Sequence, residues 1–449
     1  MGCGCSNSRV RDQGLFLLLQ LCFMLCSFGV CHPVFAQVVI DSDSTYSTSI
    51  KTYFLNDGSY FRHPTDYMKS GLECPREGGD GFVFGAGFWI GVQFTDDFDI
   101  PRKRVLQTYN PIWGESMCVP GNYKDGNLFR PDLQALYAVK HQQSASHEAL
   151  SSTFHDGDLR QYPQHLDTNS WRSMGMPLGF QFDQRMKVWS GSELDNTVAV
   201  ETTVRYIGER KQDSVYFCSV TDVAIGQIEN AIFADTGDVC VIQDKDQQYP
   251  FIVASSAMEG ERRFGTLGIG LVSVDPLRRL DGIRIISGDM VGNSHDSNYE
   301  LMSGGILDDI LPPGDKVVLL SVLVGDLVKG DSFKITIGYV VVPHDVPEPA
   351  IEIRNKLNQL RSQLTAIAEH FEPTEHNRIN SQVVYGNSFH LPDEFYTVTN
   401  VTMVSTLGEK NDVKAHQGLV DLTGLPNGSY LICLSNQQTQ LFMKLIIVR

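Results

Sequence analysis

Val198-Ala199-Val200-Glu201-Thr202-Thr203-Val204-Arg205-Tyr206 decides the fold class. The run is rich in β-branched residues, and Gly208 closes it. Ser214-Val215-Tyr216-Phe217-Cys218-Ser219-Val220 follows after one turn. The same signal returns at 251–254, 267–272, 283–286, 317–323 and 333–340, with Gly, Asp and Pro between the runs. Strands at such short intervals predict an antiparallel β-sandwich. No alternation with helices appears, which argues against a parallel α/β sheet.

Upstream, 37–130 is rich in Gly, Asp, Asn and aromatic residues. Its densest part is Gly78-Gly79-Asp80-Gly81-Phe82-Val83-Phe84-Gly85-Ala86-Gly87-Phe88-Trp89-Ile90-Gly91. Small residues beside large aromatics suit closely packed strands. The glycine spacing is wrong for a phosphate cradle, which needs Gly-x-Gly-x-x-Gly opening a helix. Residues 131–175 are polar and carry His141, His147, His155 and His165. His155-Asp156-Gly157-Asp158 offers ligand-type atoms but no metal-site spacing, and reads as a solvated loop.

One helix is predicted over 348–371. Ile353, Leu357, Leu360, Leu364, Ile367 and Phe371 form an apolar stripe at steps of four and three. Pro347 and Pro349 suit its start, and Pro373 ends it. A stripe of under three heptads predicts packing on a sheet rather than a coiled coil. Residues 372–380 read as a linker.

An export leader is expected at residues 1–36. Arg9 and Arg11 precede an apolar stretch from Leu15 to about Val30, and Val34-Phe35-Ala36 predicts cleavage before Gln37. Met1-Gly2-Cys3 fits an acylation pattern and Cys31 a lipoprotein pattern, but the export core that follows outweighs the first and Phe28-Gly29-Val30 fits the second poorly. Of ten cysteines, five lie in this leader. Cys74, Cys118, Cys218, Cys240 and Cys433 remain, without a Cys-x-x-Cys pair. An oxidising compartment allows disulfides. Cys74–Cys118 and Cys218–Cys240 are the most local pairings, and buried free thiols are the equal alternative. The formal net charge of −17 makes nucleic acid an unsuitable partner.

The last seventy residues form a compact β module at 381–449. Its strand-rich runs surround a turn at Leu425-Pro426-Asn427-Gly428, where Asn-Gly tolerates positive φ. Leu407-Gly408, the stretch from Val420-Asp421-Leu422 through Gly428-Ser429-Tyr430, and a last strand bearing Lys444 resemble the C-terminal (type A) sorting domain of the type IX secretion system. The family often opens on Asn-Pro, where this chain has Tyr385-Gly386-Asn387-Ser388-Phe389. The resemblance implies a small immunoglobulin-like sandwich. It also implies export through the periplasm to the outer surface or medium, with the outer-membrane secretion and sorting machinery as partner. It concerns the address and not the cargo's work.

The expected organisation is therefore a leader at 1–36, a β-rich body at 37–342 with possible subdomains at 37–175 and 176–342, a helix at 343–371, the linker and the sorting module. Overall the chain reads as mainly β. No catalytic motif is found and no cofactor is expected. Asp235, Asp238, Asp244 and Asp246, with Asp222, are the weak candidates for a cation site, and turn-forming aspartates explain them better. Trp89, Trp113, Trp171 and Trp189 could stack on sugars, although core packing is commoner. A structural, adhesive or interaction role leads. A secreted hydrolase and a glycan- or calcium-binding module are the alternatives.

Overall fold

The computed structural model describes residues 40–369 apart from 47, 67–68, 77, 97–98, 124–136, 145, 158–176, 192, 228–236, 246, 257–263, 275–277, 293 and 307–310. Beyond these it describes 380–385, 388–390, 400–405, 410–416, 419–425, 428–435 and 440–448.

Strands run in chain order as β1 Ser42–Ser44, β2 Lys51–Leu55, β3 Leu72–Cys74, β4 Asp80–Thr95, β5 Pro101–Gln107, β6 Val119–Pro120, β7 Lys140–Gln143, β8 His147–His155 and β9 Phe180–Trp189. Next come β10 Thr197–Tyr206, β11 Gln212–Gln227, β12 Asp238–Gln243, β13 Phe251–Ser256, β14 Thr266–Val274 and β15 Arg279–Ile286. Helix α1, His295–Ser303, precedes β16 Lys316–Leu327 and β17 Ser332–Val342, and helix α2, Pro349–Glu369, ends the body. One sheet has the order β1-β2-β3-β4-β11-β16-β15, with β5 also on β4. The other has the order β12-β13-β14-β17-β10-β9-β8-β6, with β7 also on β8. All their pairings are antiparallel.

The sheets pack face to face. Phe88 and Phe217 of the first stack at 5.0 Å, and Phe88 meets Phe182 of the second, also at 5.0 Å. Phe182 in turn stacks on Phe154 at 5.1 Å. Between the sheets the hydroxyl of Tyr339 meets those of Tyr60 at 2.9 Å, Thr221 at 3.1 Å and Ser219 at 3.3 Å. These hydroxyls satisfy one another across the two sheets, so the network favours one alignment of the layers over its neighbours.

Each outer face carries a helix. Tyr299 and Met302 of α1 cluster with Trp89, Cys218, Val317 and Leu319. Ile353, Leu357 and Leu360 of α2, all fully buried, cluster with Trp189, Phe251, Val272 and Val340. The architecture is thus helix, sheet, sheet, helix. It explains why 317–323 is apolar without alternation: Val318, Leu320 and Val322 face the central core, while Val317 and Leu319 face α1. The glycine-rich stretch has the same cause. Ala86, Phe88 and Ile90 point inward, and Trp89 points outward. A Cβ at outward-facing Gly85 would lie 2.5 Å from the Tyr109 ring, so only glycine lets that ring lie on the strand. A Cβ at Gly268 would lie 2.2 Å from Ile353, so that glycine admits α2.

Three expectations change. A division near residue 175 is crossed by both sheets: β4 pairs with β11 and β8 with β9, so the body is one interleaved sandwich. The single helix expected becomes two among the described residues, because the short, mostly polar segment of α1 shows little apolar periodicity. Residues 147–155, read as part of a polar stretch, form the core strand β8.

The C-terminal module comprises β18 Asn380–Tyr385, β19 Ser388–His390, β20 Asn400–Ser405, β21 Lys410–His416, β22 Leu419–Asp421, β23 Gly428–Ser435 and β24 Gln440–Val448. Their order is β18-β24-β23-β20-β21-β22-β19, with β18 parallel to β24 and the other pairs antiparallel.

Candidate functional site

Of the predicted acidic candidates the described ones, Asp222, Asp238 and Asp244, each have a separate hydrogen-bond partner. Asp238 opens β12 and is buried, and its Oδ1 accepts the Ile225 N–H at 3.2 Å. Asp244 lies beyond the other end of that strand and is held by Arg354 of α2, at 2.6 Å from Nε and 2.7 Å from Nη2. Asp222 accepts the Tyr109 hydroxyl at 2.9 Å. Asp235 and Asp246 lie outside the described residues. Among the described residues no group of three His, Cys, Asp or Glu is placed to hold a metal ion.

Cys74, Cys118, Cys218 and Cys240 are buried free thiols, so neither local disulfide is made here. The structure places them apart: Cys74 ends β3, and Cys218 lies in β11, which belongs to a different sheet from the β12 strand of Cys240. Burial raises the thiol of each above the ordinary cysteine range, Cys74 to about 11 and Cys218 to about 12.

His155 and Asp156 are buried, which corrects the solvated-loop reading. The Asp156 carboxylate accepts N–H groups from Leu178 at 2.7 Å, Gly179 at 3.0 Å and Phe180 at 2.9 Å. It therefore joins the end of β8 to the start of β9. Burial pushes this carboxyl up to about 7, against the backbone hydrogen bonds.

The residues of the expected sorting turn are described in part. Leu425 is buried and its N–H reaches the Leu422 carbonyl at 2.9 Å. Pro426 and Asn427 lie outside the described residues. Gly428 opens β23 opposite Ile447, Tyr430 pairs with Leu445, and Lys444 pairs with Leu431 and Ser381. The side chains of Tyr430 and Lys444 lie outside the described residues.

A further polar constellation sits where the two body sheets meet at their edges. Ser144 shapes the β7–β8 hairpin, its hydroxyl accepting the N–H of His147 at 3.2 Å. The hairpin places His141 opposite Leu150 and Gln143 opposite Glu148, so His141 and Glu148 are diagonal neighbours on one face. Strand β1 arrives from the other sheet with Asp43. His141 then lies between two carboxylates, Nδ1 at 3.0 Å from Asp43 and Nε2 at 2.9 Å from Glu148. Both contacts are hydrogen bonds at once only when both ring nitrogens carry protons. Glu148 is fully buried and also accepts the N–H groups of Tyr46 at 2.7 Å and Thr48 at 3.2 Å.

Tyr46 covers the cluster. Its ring stacks on His141 with centroids 4.7 Å apart and planes 26° from parallel, and its hydroxyl donates to Asp43. That hydrogen bond, followed by burial and the carboxylate charges, raises the phenol above the ordinary tyrosine range. Tyr46 is nevertheless 57% exposed. The result is a neutral aromatic ring, fixed from beneath and open above. No motif in the local sequence marks it, because Asp43 lies 98 residues from His141 and the two meet only in the fold. His141 was one of four histidines singled out, but no spacing distinguished it.

The four tryptophans separate clearly. Trp89 and Trp189 are core residues, Trp171 lies outside the described residues, and Trp113 is 57% exposed.

No family model and no curated protein matches the chain. Among solved structures, the heparan sulfate lyase of Pedobacter heparinus is 9% identical at a TM-score of 0.24, covering 47% of this chain and 23% of the lyase. A second polysaccharide lyase is 10% identical at a TM-score of 0.27, covering 86% of this chain and 45% of the lyase. A GalM/aldose epimerase homologue from C. elegans is 7% identical at a TM-score of 0.29, covering 69% of this chain and all (100%) of the homologue. The chain spans less than half the length of either lyase. Likeness at this level carries no conclusion about this chain's chemistry.

Proposed function

We propose that the chain is an exported interaction protein whose helix-clad sandwich recognises carbohydrate, and that its C-terminal module is the address read by the type IX secretion machinery. The observation that carries the first part is Tyr46, a neutral ring pinned on His141 with one face open. A pyranose presents an apolar C–H face to such a ring, and stacking needs no rearrangement when the ring is already fixed. Asp43 and His141 keep side-chain exposures of 22% and 16% beside it, which provides polar atoms for sugar hydroxyls.

Export is supported by the basic, apolar and small-residue order of 1–36 and by the sorting-domain pattern at the terminus. We place the protein at the outer surface or in the medium, with the secretion and sorting machinery as its partner. The small immunoglobulin-like sandwich belongs to the same proposal.

Recognition is tested by titrating the purified chain against immobilised plant, fungal and host glycans, beside Tyr46→Ala. Binding that falls about tenfold or more in the variant, with its melting unchanged, is expected. Equal binding by both proteins would sink the Tyr46 assignment. Export is tested by fractionating cells that express the full chain or a 380–449 deletion. A deletion that reaches the surface as efficiently as the full chain removes the sorting assignment.

A further inference from the structure

We infer that the Asn110–Glu115 turn is a second sugar-stacking subsite, with Trp113 as its platform; this rests on the carbohydrate reading above. The turn is built rigidly. Asn110 Oδ1 accepts the N–H groups of Ile112 at 2.9 Å and Trp113 at 3.2 Å. The Asn110 backbone accepts the Gly114 N–H at 2.7 Å and donates to the Glu115 carbonyl at 3.1 Å. Its side-chain amide donates to Gln107 at 3.1 Å. Gly114 adopts φ +65, which a side chain would strain, and the Arg62 guanidinium donates to its carbonyl.

This framework holds an indole in water. Five hydrogen bonds and a guanidinium fix the backbone that carries this exposed indole, so the turn need not be ordered when a ligand arrives. Tryptophan is also the side chain most enriched among residues that dominate binding energy. The surroundings select the ligand class. Glu115 is exposed and Arg62, which donates to the Gly114 carbonyl, keeps 23% of its side-chain surface, so the turn that bears Trp113 also presents an acceptor and a donor. A pyranose uses both the ring face and those polar groups, whereas an acyl chain uses only the first. Ile112, 44% exposed, widens the apolar floor.

The two platforms flank one piece of structure. The β1–β2 ladder runs from Thr45 bonded to Thr52 at one end to Asn56 bonded to Asp41 at the other, each at 3.1 Å. Tyr46 follows the first end. Asp57, whose carbonyl accepts the Ser116 hydroxyl at 2.8 Å, follows the second and leads to the Trp113 turn. The two subsites therefore lie at opposite ends of one ladder.

The experiment uses the full mature chain in a Trp171→Phe background, where Trp113 is the exposed indole among the described residues. Hexasaccharides of β-1,4-glucose, β-1,3-glucose, xylose, N-acetylglucosamine and heparin are the probes. Binding is read by calorimetry and by protection of tryptophan fluorescence from acrylamide. The expected result is protection on binding and an affinity about tenfold lower in Trp113→Ala, largely restored in Trp113→Tyr. If Trp113→Ala binds like its parent while Tyr46→Ala does not, this subsite is refuted and the Tyr46 reading stands. If Tyr46→Ala binds normally and Trp113→Ala does not, the subsite stands and the Tyr46 reading falls. A parent that binds none of the probes refutes both. Cosedimentation with phosphatidylethanolamine–phosphatidylglycerol vesicles that Trp113→Ala loses would assign the turn to a membrane and overturn the sugar assignment.

Discussion

The guanidinium of Arg354 holds both carboxylate oxygens of Asp244, one from Nε and the other from Nη2. The pair fastens the first turns of α2 to the end of β12. It is partly exposed, so its worth is limited by solvent screening to about 1 kcal/mol. Asp244→Ala and Arg354→Ala, combined in a double-mutant cycle read by urea denaturation, should give a coupling of that size. A coupling indistinguishable from zero would show that the helix is held by its apolar face alone.

That apolar face supplies the larger share. Leu357 is fully buried between α2 and the sheet, and Leu357→Ala should cost about 2–5 kcal/mol through lost transfer energy and a residual cavity. Asn355→Ala, on the exposed side of the same helix, should stay within about 0.5 kcal/mol. Urea midpoints of the two variants check the contrast. Equal, small effects would mean that α2 is not part of the cooperative body.

Asp156 makes stability depend on pH. Its carboxyl titrates at about 7 in the fold, above the ordinary value of 3.8. The native state therefore keeps a proton that the unfolded chain has lost, and stability falls as pH rises from about 4 to about 7 before levelling. Asp156→Asn should remove that part of the slope. Asparagine keeps one accepting oxygen in place of two, so at low pH the variant should be less stable through the N–H groups of Leu178, Gly179 or Phe180 left facing its NH2. Denaturation series at half-unit pH steps, wild type minus variant, isolate the contribution. A difference that is flat over this window contradicts the assignment.

The four buried thiols should be slow to react. Burial both blocks access and holds each above the usual cysteine range, so little thiolate is present at neutral pH. The body 37–369, treated with Ellman's reagent, should release colour only as it unfolds, with four equivalents in denaturant. Four rapid equivalents under native conditions would place the sulfurs at the surface.

In the C-terminal module β24 lies between β18 and β23, so the last strand is an interior one. Deleting 440–449 removes two ladders, one parallel and one antiparallel. The module should then be digested rapidly by protease while the melting of the body is unchanged. A body that melts lower after this deletion would show that the two parts fold as one.

Much of the β architecture is legible along the chain because most body strands from Val198 onward carry their own apolar or β-branched run; β12 is the exception, since its opening Asp238 reads as a turn former although it is buried in a strand. Helix α2 is equally legible, from Pro349 at its first position and the stripe Ile353, Leu357 and Leu360. What escapes is anything set by partners distant in sequence. Nothing local told that Gly85 faces Tyr109, or that the polar run at 147–155 has Leu150 and Phe154 in the central core. The Tyr46 platform escapes for the same reason, since Asp43 and His141 meet only when the edges of two sheets do. Asp244 was noticed for its charge, but its partner Arg354 lies 110 residues away.

The position of α2 also fixes how the body meets mechanical load. Moving inward from the C-terminal module, α2 is the first body element along the chain, and it lies on the outer face of the sheet rather than within a ladder. A pull on the module acts on α2 before any strand. Side-chain contacts on a surface yield by peeling, a few at a time, whereas ladders loaded along their length resist together. The helix spans about 31 Å when folded and roughly 70 Å when drawn out, so it supplies slack of roughly 40 Å. A pull on the module would therefore lengthen α2 before the strands carry force.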